Sequence, residues 1–294
     1  MHKISLSMIV KNENHDHFRE CLDSVVPYID YWVIADNGST DGIQDFIREY
    51  FKEKNIPGEL HEVEWKGFGH NRTEALSLCD GKAEYSLMID ADDRLIGKMQ
   101  LPNKMHKDGY CLRIKRGDFT WWRNQVFKTG IGWKYVGVLH EYAECSGHAQ
   151  EKGGLDIDRV QGEYHVDART LGGERNIGKD GNTIDAVEKY SKDAEILEKA
   201  ILEEPENTRY QFYLAQSYFD SQQWEKSEEA YAKRARMGGW MEEVFYSIFR
   251  VGIIKMIQEK PWPDCQDTFL QAFNVWSHRA EPLYQLAKVH RLNG

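Results

Sequence analysis

The sequence predicts an α/β domain over residues 1–182 followed by an all-α domain of tetratricopeptide-like helical repeats over residues 183–294. Three observations predict it. In the first half, short apolar runs alternate with helical patterns. Two of those runs stop abruptly at clusters of carboxylates. In the second half helical periodicity takes over and then repeats. A chain of 294 residues has room for two domains of ordinary size.

Residues 4–10 are apolar and rich in β-branched side chains, as a buried strand requires, and Asn14 or Asp16 stands where it can cap a helix running to residue 26. A second run, residues 31–35, ends in the turn cluster Asp36-Asn37-Gly38-Ser39-Thr40-Asp41-Gly42, after which Ile43, Phe46, Ile47 and Tyr50 recur at helical spacing. Residues 60–65 read as a third strand, 71–78 as a helix, and 85–89 as a fourth strand stopped by Asp90-Ala91-Asp92-Asp93. The order β-α-β-α-β-α-β predicts a largely parallel sheet. Ligands bind such sheets beyond the carboxyl ends of the strands, so residues 36–41 and 90–93 are expected on one rim. Residues 110–138 alternate apolar and polar like hairpins. Residues 147–181 are Gly-rich and read as loop, with Gly153-Gly154 and Gly172-Gly173 at the bends.

The tail passes a repeat test. Gln211, Leu214, Ala215 and Tyr218, followed by Ser227 and Tyr231, approximate the tetratricopeptide pattern of about 34 residues. Phe245, Ile248 and Gly252 stand one period further on, and Leu283, Leu286, Ala287 and His290 recur after a short insertion near residues 260–262. Cys265, Phe269 and Ala272 supply an intervening helix. Upstream, Asp193, Leu197, Ala200 and Pro205 fit the second helix of a preceding unit. Shared offsets favour repeats over an ordinary bundle.

Composition narrows the function classes. With 38 Lys and Arg against 48 Asp and Glu, the net charge of −10 opposes non-specific attraction to nucleic acid or to an anionic membrane surface. No apolar run approaches the roughly 20 residues that span a bilayer, and the start does not read as a signal peptide, so a cytoplasmic location is expected. The five cysteines are widely spaced, with no C-x-x-C pair, which points to neither a disulfide framework nor a zinc site.

Asp90-Ala91-Asp92-Asp93 is the strongest chemical signal. Carboxylates placed just after a buried strand leave the sheet rim at a fixed separation, where Mg²⁺ or Mn²⁺ can bridge them to phosphate oxygens; the alternative is a solvated acidic turn. In residues 36–42, Ser39 or Thr40 can cap the next helix and Asp41 can complement its dipole, while Asp36, the last strand residue, can accept hydrogen bonds from a base or ribose. Gly67-Phe68-Gly69-His70-Asn71-Arg72 enters a helix with backbone donors and the Arg72 fork facing a possible diphosphate. Trp121, Trp122, Trp133 and Tyr135 are either sugar-stacking aromatics or core. The pair His140-Glu141 closes an apolar run with no packing reason to be there. His165 is a metal ligand or a satisfied buried histidine.

Residues 7–13, 33–41 and 89–93 together resemble the family 2 glycosyltransferases of the GT-A fold, and the resemblance spans roughly residues 3 to 170. Residues 133–141 and the appended repeats resemble a subgroup with a tetratricopeptide tail. The resemblance implies a Rossmann-like mixed sheet and an inverting, metal-dependent transfer of a hexosyl group from a nucleoside diphosphate-sugar, a UDP-sugar being favoured, to an acceptor hydroxyl on a glycan, protein or small molecule. It implies that Met8, Val10 and Glu13 border the nucleoside, that Asp36 holds the base or ribose, and that Arg72 lies near the diphosphate. Asp92 would be the main ligand for Mn²⁺ or Mg²⁺, with Asp90 assisting and His165 resembling a later ligand. The family's base often lies in a Glu-Asp pair, which this chain lacks, so Glu141 is the candidate. A nucleotidyltransferase would prefer a glycine-bearing phosphate loop, and residues 5–13 contain no glycine. The rival of another class is an inactive domain carrying a repeat tail that binds a protein partner or pairs two copies of the chain.

Overall fold

A computed structural model of the chain describes residues 2–169 and 185–292. The chain divides into two compact units, Met1–Ile177 and Gly178–Gly294. The expected boundary at 182/183 and the bend at Gly172-Gly173 lie outside the described residues.

The first unit runs β1 (His2–Val10), α1 (Asp16–Val25), β2 (Tyr31–Asp36), α2 (Ile43–Glu53), β3 (Gly58–Glu62), α3 (Phe68–Ser77), β4 (Ala83–Met88), β5 (Arg94–Gln100), β6 (Gly109–Arg116) and β7 (Phe119–Lys128). It continues through β8 (Lys134–Val136), β9 (Tyr142–Glu144), α4 (Ser146–Lys152), β10 (Ile157–Arg159) and β11 (Gln161–Asp167). The main sheet has the order β3-β2-β1-β4-β7-β6-β11-β5, with β10 also on β6, and β8 and β9 form a separate ribbon. Strands β3, β2, β1 and β4 are mutually parallel, as the alternating order predicts. From β7 onward antiparallel pairings enter, so the sheet is mixed rather than largely parallel.

Alternation along the strands builds a core on each face. Leu6, Met8 and Val10 of β1 turn toward Phe18 and Leu22 of α1 and Ile43 and Ile47 of α2, in one fully buried cluster. On the other face Ala35 and Met88 meet Ala75 and Leu76 of α3 together with Phe127 and Trp133. Trp133 is therefore core, and its indole N–H donates to the Asp108 carbonyl at 3.1 Å.

Three local readings are corrected. Helix α1 has His15 at its N-cap with no side-chain cap, because Asn14 is engaged with Asp41 instead. Helix α2 follows Gly42 at φ +81°, with the Asp41 carboxylate accepting from the Ile43 amide, so neither Ser39 nor Thr40 caps it. Residues 147–167, read as loop, hold most of α4 and all of β10 and β11. Gly162, inside that passage, marks a close strand approach: a Cβ would stand 2.4 Å from the Lys98 carbonyl oxygen.

The second unit is all helical: α5 (Ala186–Glu203), α6 (Thr208–Asp220), α7 (Trp224–Arg236), α8 (Met241–Ile257), α9 (Trp262–Val275) and α10 (Glu281–Leu292), each packed on the next. Asp185 caps α5 and Asn207 caps α6, each through its side-chain oxygen. Leu214, Ala215, Tyr231, Phe245, Phe269 and Ala272 are buried. Gly252 lets α8 approach α9 so closely that a Cβ would meet the Phe269 ring at 2.6 Å.

Candidate active site

Because β1 lies between β2 and β4 and runs parallel to both, the segments that follow these strands meet on one rim. Residues 11–14 and 37–41 lock together there. The Asn12 amide donates to Ser39 Oγ at 2.8 Å, and the Thr40 amide donates to Asn12 Oδ1 at 2.8 Å. Asp36 is buried at the end of β2, its carboxylate accepting from the Ser39 amide and hydroxyl and from Gln44 Nε2. Met8 and Val10 sit in the core, so only their backbone can face a nucleoside. Glu13 is buried beside His17 at 3.2 Å; burial raises its proton affinity and the negative Asp92 adds to that, while His17 opposes it.

The carboxylates after β4 are held by arginines from three other elements. Arg72 of α3 donates from Nη2 to Asp90 Oδ1 at 2.5 Å, and Arg123 of β7 lies 3.8 Å from the other Asp90 oxygen and 3.9 Å from Asp93. Burial works against the Asp90 charge, but Arg72 and Arg123 outweigh it and keep its carboxyl below the ordinary value. Asp93 is 2 % exposed, and burial, with Asp90 and Asp92 nearby, pushes it upward. Arg169, just beyond β11, clasps the segment: its amide donates to Asp93 Oδ1, its Nε to the Asp92 carbonyl, and its fork to Glu20 and the His17 carbonyl.

Glu141 reaches this place from the β8–β9 ribbon. The ribbon docks on α3, the Tyr135 amide donating to Thr73 Oγ1 at 2.8 Å, and Gly137 (φ +109°) and His140 (φ +53°) turn the chain so that Glu141 pairs with Arg72. His140 itself is exposed. A cavity of about 300 Å³ gathers Arg72, Asp90, Glu141, Trp122, Arg123 and Tyr135 among its lining residues. Arg72 stands over the Tyr135 ring at 5.8 Å.

The structure thus brings Arg72, Asp90 and Glu141 into one cavity. It places His165 on β11 opposite Ile96 of β5, and it does not join His165 to Asp90 and Asp92 in a ligand set. Among the described residues no three His, Cys, Asp or Glu side chains stand together as a metal cage. The donor set still suits a hard cation in its chemistry: Asp90, Asp92 and Asp93 are hard oxygen donors in one short segment, and burial first, then the charges of Asp90 and Asp92, lifts the Asp93 carboxyl.

Residues 5–131 match the family model described as Glycosyl transferase family 2. That match lies wholly within the N-terminal unit. No curated protein matches the chain. Among solved structures it is similar to S. aureus TarS at 13% identity and a TM-score of 0.45, covering 92% of this chain and 54% of that one, so the chain spans about half that protein's length. It is similar to residues 1–349 of TarS in complex with UDP-GlcNAc at 14% identity and a TM-score of 0.43, over 94% and 92% of the two chains. It is also similar to the mannosyltransferase PcManGT from Pyrobaculum calidifontis, in complex with GDP-Man and Mn²⁺, at 15% identity and a TM-score of 0.44, over 95% and 88%. Two arginines of this site escape a reading of the sequence. Arg123 has only the weak signal of a cation next to Trp121-Trp122, and Arg169 has none, since its partners Asp92 and Asp93 are more than 70 residues away in sequence.

Proposed function

We propose that the chain is an inverting, metal-dependent glycosyltransferase that moves a sugar from a nucleoside diphosphate-sugar, a UDP-sugar foremost, to an acceptor hydroxyl. One observation carries this reading: Arg72 and Asp90, inside the stretch that matches the family 2 model, and Glu141, beyond it, converge in one cavity at the carboxyl rim of the parallel strands. The segment 90–93 and Arg72 take the diphosphate side. A divalent ion held at Asp92 would offset the charge that gathers on the leaving diphosphate. Glu141, beside Arg72 in the same cavity, accepts the proton of the attacking hydroxyl.

Arg72 is shared between Asp90 and Glu141. An incoming diphosphate competes for the same guanidinium fork and thereby frees Glu141 for the acceptor. This orders the reaction, donor before acceptor.

A second reading, an inactive domain serving as an adaptor through its helical unit, draws on the arginines that already neutralise Asp90. Thermal unfolding of the full chain with UDP or GDP, each with and without Mn²⁺, separates the two. A ligand that binds the native state raises its apparent stability. Metal-dependent stabilisation by one nucleotide is expected; no shift with either, in folded protein, would favour the adaptor.

A further inference from the structure

Resting on the glycosyltransferase reading, we propose that the acceptor carries an oxyanion, a phosphate or a carboxylate, bound by Arg113 and Arg159 beside Trp122. Arg113 lies opposite Trp122 in the β6–β7 register, and Arg159 of β10 lies opposite Cys111, two residues before Arg113 on the same face. Their guanidinium carbons stand 5.2 and 4.9 Å from the centre of the Trp122 ring. Trp122 is a wall of the cavity that holds Arg72 and Glu141, so the two cations adjoin the reacting site through a shared indole.

Charge gives the occupant. The chain carries a net charge of −10, yet β6, β7 and their turn hold Arg113, Lys115, Arg116, Arg123 and Lys128 against Asp118 alone. Arg123 is spent on Asp90 and Asp93, and Arg116 donates to the Ala168 carbonyl. Among the described residues neither Arg113 nor Arg159 has a carboxylate within ion-pair distance. One arginine on one tryptophan is ordinary packing. Two on the same ring are no more than about 10 Å apart, about a Debye length at ordinary ionic strength, and a bound anion relieves their repulsion. Guanidinium forks take a phosphate or carboxylate in the bidentate manner. The donor diphosphate is assigned to Arg72 on α3, which leaves this pair, on other elements, for the acceptor.

The test titrates the full chain with inorganic phosphate, acetate and glucose, followed by tryptophan fluorescence, in the wild type and in Arg113→Gln/Arg159→Gln. Phosphate or acetate is expected to saturate the wild-type signal where glucose does not, and whichever of the two binds more tightly names the oxyanion. The double variant is expected to need at least about tenfold more of that ion, as the loss of two charge-assisted contacts implies, with its circular dichroism and its affinity for nucleoside diphosphate and Mn²⁺ unchanged. An unchanged ion titration in the double variant would overturn the proposal. So would a matching loss of nucleotide affinity, which would assign both arginines to the donor. If wild-type protein binds no nucleotide, it is the glycosyltransferase reading that falls, and the anion titration still decides the arginine site. Single Arg159→Gln, at an exposed strand position, repeats the test should the double variant fail to fold.

Discussion

Asp92 and Glu141 divide the proposed chemistry between them, and each substitution has its own signature. Asp92→Asn keeps the size of the side chain and removes the charge that would hold the cation. It is expected to abolish Mn²⁺-dependent donor turnover while leaving the circular dichroism spectrum intact; a variant with full metal-dependent turnover would remove Asp92 as ligand. Glu141→Gln leaves Arg72 with a weaker, neutral partner and removes the proton acceptor. Donor binding should persist while transfer falls by about 10² to 10⁴, the usual contribution of a general base. Equal transfer by the variant in a single-turnover assay would take Glu141 out of the mechanism. The residues named by these tests were legible in the sequence because each stands at a break in pattern, where an apolar run stops at a charge. Arg123 and Arg169 were not. Both follow otherwise ordinary stretches, and their meaning lies in the tertiary contact with residues 90–93.

Asp108 shows how a single buried carboxylate fixes an element. It is fully buried, and its oxygens accept from His148 at 3.1 Å and Lys152 at 3.0 Å of α4 and from the Asp156 amide at 2.9 Å ahead of β10. Burial alone would raise its proton affinity; these donors outweigh burial and hold the carboxyl at about 2, below the 3.8 of an unperturbed aspartate. Because the folded value is the lower one, the stabilisation is complete above about pH 4 and drains away as the pH falls toward 2. Asp108→Asn is expected to lower the urea midpoint at pH 7 and to narrow the gap between the midpoints at pH 7 and pH 3. An unchanged gap would show that the carboxylate is not the acid-sensitive clamp. At this scale the sequence was readable for β1 to β4, where strand and helix periods alternate, and misleading beyond Gly147. There the glycines suggested loop, whereas Gly162 is a position at which β11 presses on β5, opposite Met99.

Each unit has a hydrophobic core of its own, one centred on the sheet and one on α8 and α9, and no described helix is long and apolar enough to cross a membrane. The change from strand-helix alternation to sustained helical spacing told the two apart in the sequence. What the spacing did not reveal is the ion pair at the centre of the helical unit. Arg234 is wholly buried on α7, its fork on Glu243 of α8 at 2.9 and 3.1 Å and its remaining nitrogen on the Gly238 carbonyl. Removing one partner of such a pair strands a charge in the interior, a cost of about 3 kcal/mol or more. Glu243→Gln is therefore expected to lower the unfolding temperature of the helical core. The proposed donor site is made of residues of the sheet rim, so at a temperature below that lowered transition the variant should keep the wild-type affinity for nucleoside diphosphate and Mn²⁺. Calorimetric titration of wild type and variant at such a temperature checks this. Weakened nucleotide binding in a variant whose helices are still folded would mean that the helical unit takes part in holding the donor.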